Sequence, residues 1–294
     1  MKKFQGAITA LATPFQKDGS IDTDALRGLV KFQLKGGING IVPCGSTGEA
    51  ATLDTEEYQL VVRTVVEEVG GRVPVIAGAG SNDTKKAVHL SRLAKEAGAD
   101  GLLHVTPFYN KPTPAGLVAH FKAIADAVDM PIILYNVPGR TGLNATAQVT
   151  LRVAKAVPQV VAVKEASANL PQMMEIIKDA PSYFSVLSGD DAFTLSLMSV
   201  GGVGCISVVS NEIPKEFTRM VQFGLDGDFA KAQKLHYRYF DLMNVNFIET
   251  NPIPVKTALG LMGKMQEVFR LPLVPMEEKN KEILKAVMRG VGLL

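Results

Sequence analysis

At 294 residues, with 47% apolar and 20% charged side chains, the chain has the composition of an ordinary folded protein with a sizeable buried core. Lys and Arg number 31 against 29 Asp and Glu, a net charge of +2 spread along the chain, which excludes a basic stripe for nucleic acid or an anionic membrane surface. Cys44 and Cys205 are too few for a disulfide framework, and His89, His104, His120 and His236 lack metal-ligand spacing.

Short apolar runs then alternate with longer stretches of helical periodicity. Residues 7–11 read as a first strand. Residues 24–35 follow as an amphipathic helix, behind Asp22 as a cap for free backbone N–H groups and ended by Gly36-Gly37. A second strand at 40–42 leads through Gly45-Ser46-Thr47-Gly48-Glu49 to a helix over 55–69, capped by Asp54 and ended by Gly70-Gly71. The third strand, 73–77, runs into Gly78-Ala79-Gly80-Ser81-Asn82 and a helix over 84–97 behind Asp83; Gly98 precedes a fourth strand at 101–105. Thr106-Pro107-Phe108-Tyr109-Asn110 joins that strand to a helix over 116–128. The fifth strand, 132–135, ends in Tyr135 and Asn136-Val137-Pro138-Gly139-Arg140-Thr141-Gly142. The sixth, 160–164, ends in Lys164-Glu165. The seventh, 184–187, leads into Ser188-Gly189-Asp190-Asp191, and Gly201-Gly202 precedes an eighth at 203–206.

Near-continuous apolar strands are those buried on both faces of a parallel sheet. Eight of them, each with a helix, predict a (β/α)₈ TIM barrel. A doubly wound dinucleotide fold is disfavoured, because no Gly-x-Gly-x-x-Gly opens a helix after the first strand. Residues 1–212 are expected to form the catalytic barrel. Residues 213–294, interrupted by Pro252, Pro254, Pro272 and Pro275, read as a helical extension packed on it.

Barrel chemistry gathers at the C-terminal ends of the strands, so the residues after each strand are the candidates. Lys164 would sit in the barrel mouth, where desolvation favours the free amine, a nucleophile toward a carbonyl carbon. It reads equally as half of a structural Lys164–Glu165 pair or as a lysine reaching solvent. Tyr135 is an acid/base phenol or an aromatic plug. Ser46 and Thr47 either cap the next helix or donate to a carboxylate, and Arg140 is a surface charge or a bidentate carboxylate clamp. Asp190 and Asp191 read as helix caps, and Cys205 as packing.

In their order along the chain, six motifs carry a resemblance: the Gly45 to Glu49 loop, Thr106-Pro107-Phe108-Tyr109-Asn110-Lys111-Pro112, Tyr135 to Gly142, Val163-Lys164-Glu165-Ala166, Ser188 to Asp191, and Asn251-Pro252-Ile253-Pro254-Val255-Lys256. Over residues 6–294 the chain resembles the class I, Schiff-base-forming 2-keto acid lyases and synthases. The resemblance implies that Lys164 forms an imine with pyruvate, whose enamine attacks the aldehyde of L-aspartate 4-semialdehyde at the entry to diaminopimelate and lysine biosynthesis. It implies proton transfer by Tyr135, linked through the Ser46 hydroxyl to Tyr109 inserted by a neighbouring subunit. Thr47 and the backbone at Ile206 would hold the pyruvate carboxylate, with Gly189 among the substrate contacts, and Arg140 would meet the carboxylate of the aldehyde. A shared tyrosine implies a homo-oligomer, a dimer of dimers. No cofactor or metal is expected.

Two departures stand out. Ser46 replaces the threonine usual in synthases and is common in the sugar-acid lyases, whereas Arg140 is absent from the sialic-acid lyase branch. At the positions matching the lysine-feedback site the chain has Ala50, Thr55, Tyr58, Lys86 and Phe108 beside Asn82, without histidine or acidic contacts, and Lys86 would oppose the effector's ammonium groups. Inhibition by lysine is therefore expected to be weak or absent. Half-inhibition at sub-millimolar lysine in a steady-state assay would refute this. The rival readings are a retro-aldol lyase for a 2-keto-3-deoxy sugar acid or N-acetylneuraminate, and a non-catalytic keto-acid-binding barrel. With no apolar run long enough to span a bilayer and no apolar segment behind Met1-Lys2-Lys3, neither a membrane partner nor a leader is expected, and the setting reads as cytoplasmic.

Overall fold

Strand and helix alternate along the chain of this computed structural model, which describes residues 4–294; Met1, Lys2 and Lys3, part of the N-terminal segment read above, lie outside the described residues. The order is β1 (Gly6–Ala10), α1 (Thr23–Lys35), β2 (Gly40–Val42), α2 (Thr55–Val69), β3 (Ile76–Gly78), α3 (Thr84–Glu96), β4 (Gly101–Val105) and α4 (Pro114–Val128). Then come β5 (Ile132–Asn136), α5 (Pro138–Thr141), α6 (Ala147–Ala156), β6 (Val160–Glu165), α7 (Leu170–Asp179), β7 (Ser185–Ser188), α8 (Thr194–Ser199) and β8 (Gly204–Ser207). Four helices finish the chain: α9 (Pro214–Leu225), α10 (Phe229–Val245), α11 (Ile253–Leu261) and α12 (Glu278–Val291).

The strands are parallel in the order β2-β1-β8-β7-β6-β5-β4-β3. The two ends of that row meet. Ile41 bridges to Val75 just ahead of β3; Ile41 N–H donates to the Pro74 carbonyl at 3.0 Å, and Gly78 N–H to the Pro43 carbonyl at 2.9 Å. The sheet is thus a closed barrel, as expected. Pro74 explains why β3 starts later than the apolar run: it has no N–H for a ladder and contributes only its carbonyl.

Asp22, Asp54 and Asp83 cap α1, α2 and α3 as the sequence suggests, Asp54 through a reciprocal pair with Glu57. Helix α4 begins at Pro114, two residues ahead of its expected start, because Thr113 accepts from Gly116 N–H and proline suits the first helical position. Pro254 likewise lies in the first turn of α11 and does not interrupt it.

One apolar cluster fills the barrel, including Ile8, Val42, Ile76, Leu103, Ile133, Leu187 and Ile206, with Phe4 below them; a larger one lies between strands and helices. Side chains two apart along a strand share a face, so Tyr135 points inward with Ile133, and Lys164 with Ala162. Register places Tyr135 beside Lys164 and Lys164 beside Leu187. Helix α9 packs on β1, β8 and α1, while α10 packs on α9 and α12.

Glu212 and Asn246 are buried where these layers meet. Asn246 Nδ2 donates to Glu212 Oε2 at 2.9 Å, whereas Glu212 Oε1 and Asn246 Oδ1 lack partners. Burial pushes the Glu212 carboxyl from 4.5 up to about 8, the Asn246 bond opposing it and Asp191 adding to it. The folded protein therefore keeps a proton that the unfolded chain releases near 4.5, so this group makes stability fall as pH rises from about 4.5 to 8. Glu212→Gln keeps a neutral donor and acceptor there and is expected to raise Tm by roughly 5 °C at pH 8 and hardly at pH 5. Melting curves at both pH values check this; equal shifts at the two would refute it.

Candidate active site

A cavity of about 150 Å³ opens at the C-terminal ends of the strands. Its walls include Val42, Leu103, Tyr135 and Lys164 from the strand ends, Ser46 and Thr47 from the loop after β2, and Arg140 from α5. Lys164 is only 5% exposed, and its Nζ lies 4.3 Å from the centroid of the Tyr135 ring. Gly189 makes room for it: a Cβ there would come within 3.0 Å of Lys164 Cε and 2.8 Å of Ala166 Cβ. Glu165, on the opposite face of β6, does not pair with Lys164. It accepts from Asn136 Nδ2 at 3.0 and 3.1 Å, Gln172 Nε2 at 3.0 Å and Ser167 N–H at 2.8 Å. Amides thus satisfy the carboxylate and leave the amine facing the cavity.

The opposite wall depends on the far end of the chain. Asn251 Nδ2 donates to Thr47 Oγ1 at 3.0 Å, and the Asn251 carbonyl accepts from Arg140 Nη2 at 3.0 Å. Two residues on from Thr47, Glu49 donates its N–H to the Ser46 carbonyl at 3.2 Å, closing the turn. The Glu49 carboxylate pairs with the fully buried Lys256 and accepts from Arg270 N–H at 3.3 Å. Lys256 Nζ also lies 4.2 Å from the Phe15 ring centroid, with Arg270 4.4 Å from it. Arg270 pairs with Glu57 and donates to the Thr52 carbonyl at 2.7 Å. Burial pushes the Lys256 ammonium down, with Glu49 opposing that shift.

A buried amine against a phenol, in a cavity that a hydroxyl and a guanidinium also line, is an arrangement that suits Schiff-base chemistry on a keto acid. A model of the dihydrodipicolinate synthetase family matches residues 3–290. The chain belongs to this family. It is 58% identical over 291 residues to the 4-hydroxy-tetrahydrodipicolinate synthase of Maridesulfovibrio salexigens, covering 99% of each chain. The dihydrodipicolinate synthase structure from Aquifex aeolicus is 46% identical with a TM-score of 0.96, covering 99% of both chains. The chloride-inhibited enzyme of Acinetobacter baumannii, solved with pyruvate, is 41% identical with a TM-score of 0.96 over 99% of both. These relatives are enzymes and favour the synthase reading over the sugar-acid lyase and over a non-catalytic barrel.

Within this family member, six of the eight site candidates line one cavity: Lys164, Tyr135, Ser46, Thr47, Arg140 and Gly189. Ile206 is fully buried beneath it, and Val208 provides the wall at that strand end. Tyr109 lies outside: it is 89% exposed, with φ at 69°. Asp190 accepts from the N–H groups of Ala192 and Phe193 and so caps the turn into α8. Asp191 departs from the expected helix-cap role there. Buried, it accepts from Val208 and Val209 N–H at 3.0 and 2.8 Å and fixes the loop after β8. Cys44 and Cys205 are free and buried, and burial raises both thiols, so they are poor nucleophiles. Phe247 and Asn251 also line the cavity, although the sequence had given the extension no site residue. The polar Asn251, just before Pro252-Ile253-Pro254, was the one available signal.

Proposed function

We propose that the protein condenses pyruvate with L-aspartate 4-semialdehyde to give 4-hydroxy-tetrahydrodipicolinate. The observation that carries this reading is the buried Lys164 amine against Tyr135, facing a cavity that the Thr47 hydroxyl and the Arg140 guanidinium also line, in our reading one for each acid. The Lys164 amine attacks the pyruvate keto carbon, and loss of water leaves an imine. Removal of a methyl proton gives the enamine, whose carbon attacks the aldehyde. The amino group of the second substrate then displaces Lys164 and closes the ring, so one water is released overall. Tyr135 carries protons in these steps, and Ser46 lines the same cavity.

The barrel of residues 1–212 carries the lysine, and the extension, 213–294, contributes Phe247 and Asn251. The exposed Tyr109 and the neighbouring Phe108, 39% exposed, support a homo-oligomer in which Tyr109 enters a partner's site, in our reading a dimer of dimers. The free thiols accord with a cytoplasmic setting.

Borohydride reduction in the presence of pyruvate, followed by peptide mapping, tests the first step: the added mass is expected on Lys164. Condensation with aspartate semialdehyde, run beside cleavage of N-acetylneuraminate and 2-keto-3-deoxy sugar acids, tests the second. No adduct at saturating pyruvate would overturn the proposal.

A further inference from the structure

We propose that Asn251 is a positioning residue: its side-chain amide fixes the polarity of the Thr47 hydroxyl, so that the cavity presents a proton, and no lone pair, to the first acid. This rests on the reading of Thr47 as the group that holds the pyruvate carboxylate.

Thr47 is 3% exposed, and its hydroxyl has one proton to donate and two lone pairs. Asn251 Nδ2, which can only donate, occupies a lone pair at 3.0 Å. The proton of Thr47 is thereby left over, and among the described residues no protein acceptor takes it. The remaining direction is the cavity, which Thr47 and Asn251 both line. A carboxylate is an acceptor only, so a hydroxyl held in this sense is ready for it before it arrives, without reorientation. Were the amide replaced by an acceptor, the hydroxyl would donate to that acceptor and turn a lone pair toward the bound anion.

Asn251 also serves the second acid, through a different atom. Its backbone carbonyl accepts from Arg140 Nη2 at 3.0 Å. A side-chain substitution therefore disturbs the Thr47 contact and leaves the Arg140 contact in place, so the two substrates are expected to respond differently. A residue that only held the extension on the barrel would move both together.

Steady-state kinetics of Asn251→Asp and Asn251→Ala, each alone and combined with Thr47→Val, test this. Asn251→Asp is expected to raise KM for pyruvate about 10- to 100-fold while KM for the semialdehyde changes less than about 3-fold. Asn251→Ala, which frees the hydroxyl to rotate, raises the pyruvate KM only a few-fold. In the Thr47→Val background Asn251→Asp adds less than about 3-fold, because no hydroxyl is left to turn. If Asn251→Asp costs as much without the hydroxyl as with it, the effect is charge repulsion and the proposal is overturned. Parallel rises in both KM values, or a fall confined to kcat, overturn it as well. Borohydride trapping separates this from the underlying reading: an adduct on Lys164 in the wild type with an unchanged pyruvate KM in Asn251→Asp sinks the polarity argument alone, whereas no adduct in the wild type sinks both.

Discussion

Lys164→Ala is expected to lower kcat by at least about 10³-fold while Tm stays within a few degrees of the wild type. Among the described residues Lys164 is the one lysine lining the cavity. Lys256 is taken up by Glu49 outside it, so no second amine replaces the lost nucleophile. The fold should tolerate the change, because Glu165 is satisfied by Asn136, Gln172 and the Ser167 N–H. Removing the lysine therefore strands no buried charge. Pyruvate-dependent trapping by borohydride should vanish in parallel. Residual turnover above about 0.1% of wild type, or an adduct elsewhere on the chain, would be the contrary result.

The largest effect on stability is expected at Lys256. Lys256→Met leaves the Glu49 carboxylate buried with only the Arg270 N–H, and removing one partner of such a pair costs about 3–5 kcal/mol. Lys256→Met combined with Glu49→Gln, which strands no charge, should recover most of that loss. Thermal and denaturant unfolding of the two single variants and the double variant form the cycle. Equal losses in the single and double variants would mean that packing around Phe15, and not the ion pair, holds this region. The Lys256 variant should also bind pyruvate less well, since Glu49 closes the turn that carries Ser46 and Thr47.

The barrel was legible in the sequence because its causes are local. Apolar runs mark strands buried on both faces, and Asp22, Asp54 and Asp83 mark helix starts within three residues of the N–H groups they accept from. Lys164, Tyr135 and Arg140 could be placed because strand ends in a closed barrel converge, whatever the details of each loop. The boundary errors were also local: Pro74 shortened β3, and Thr113-Pro114 started α4 early. The contacts between distant segments could not be read this way. Thr47 and Asn251 are 204 positions apart, Glu49 and Lys256 207, and no periodicity links them. Asp191 looked like a helix cap because Asp190 beside it is one. The difference arises from the loop after β8, which brings two free N–H groups to Asp191. Tyr109 does not line its own cavity, and its exposure and left-handed backbone are what mark it in the structure.

The bonds from Asn251, Lys256 and Arg270 back to the first loops have a consequence for the order in which the protein matures on the ribosome. A nascent chain that has delivered β1 to β8 holds every strand of the barrel, Lys164 and Tyr135 included. It still lacks the amide for Thr47, the carbonyl for Arg140 and the cation for Glu49, all of which arrive with residues 251 to 270. Lys164 is thus in place early in synthesis. The surroundings of Thr47 and Arg140 are finished only as the last segments leave the exit tunnel, so an interrupted chain carries Lys164 in a mouth whose opposite wall is still unbraced.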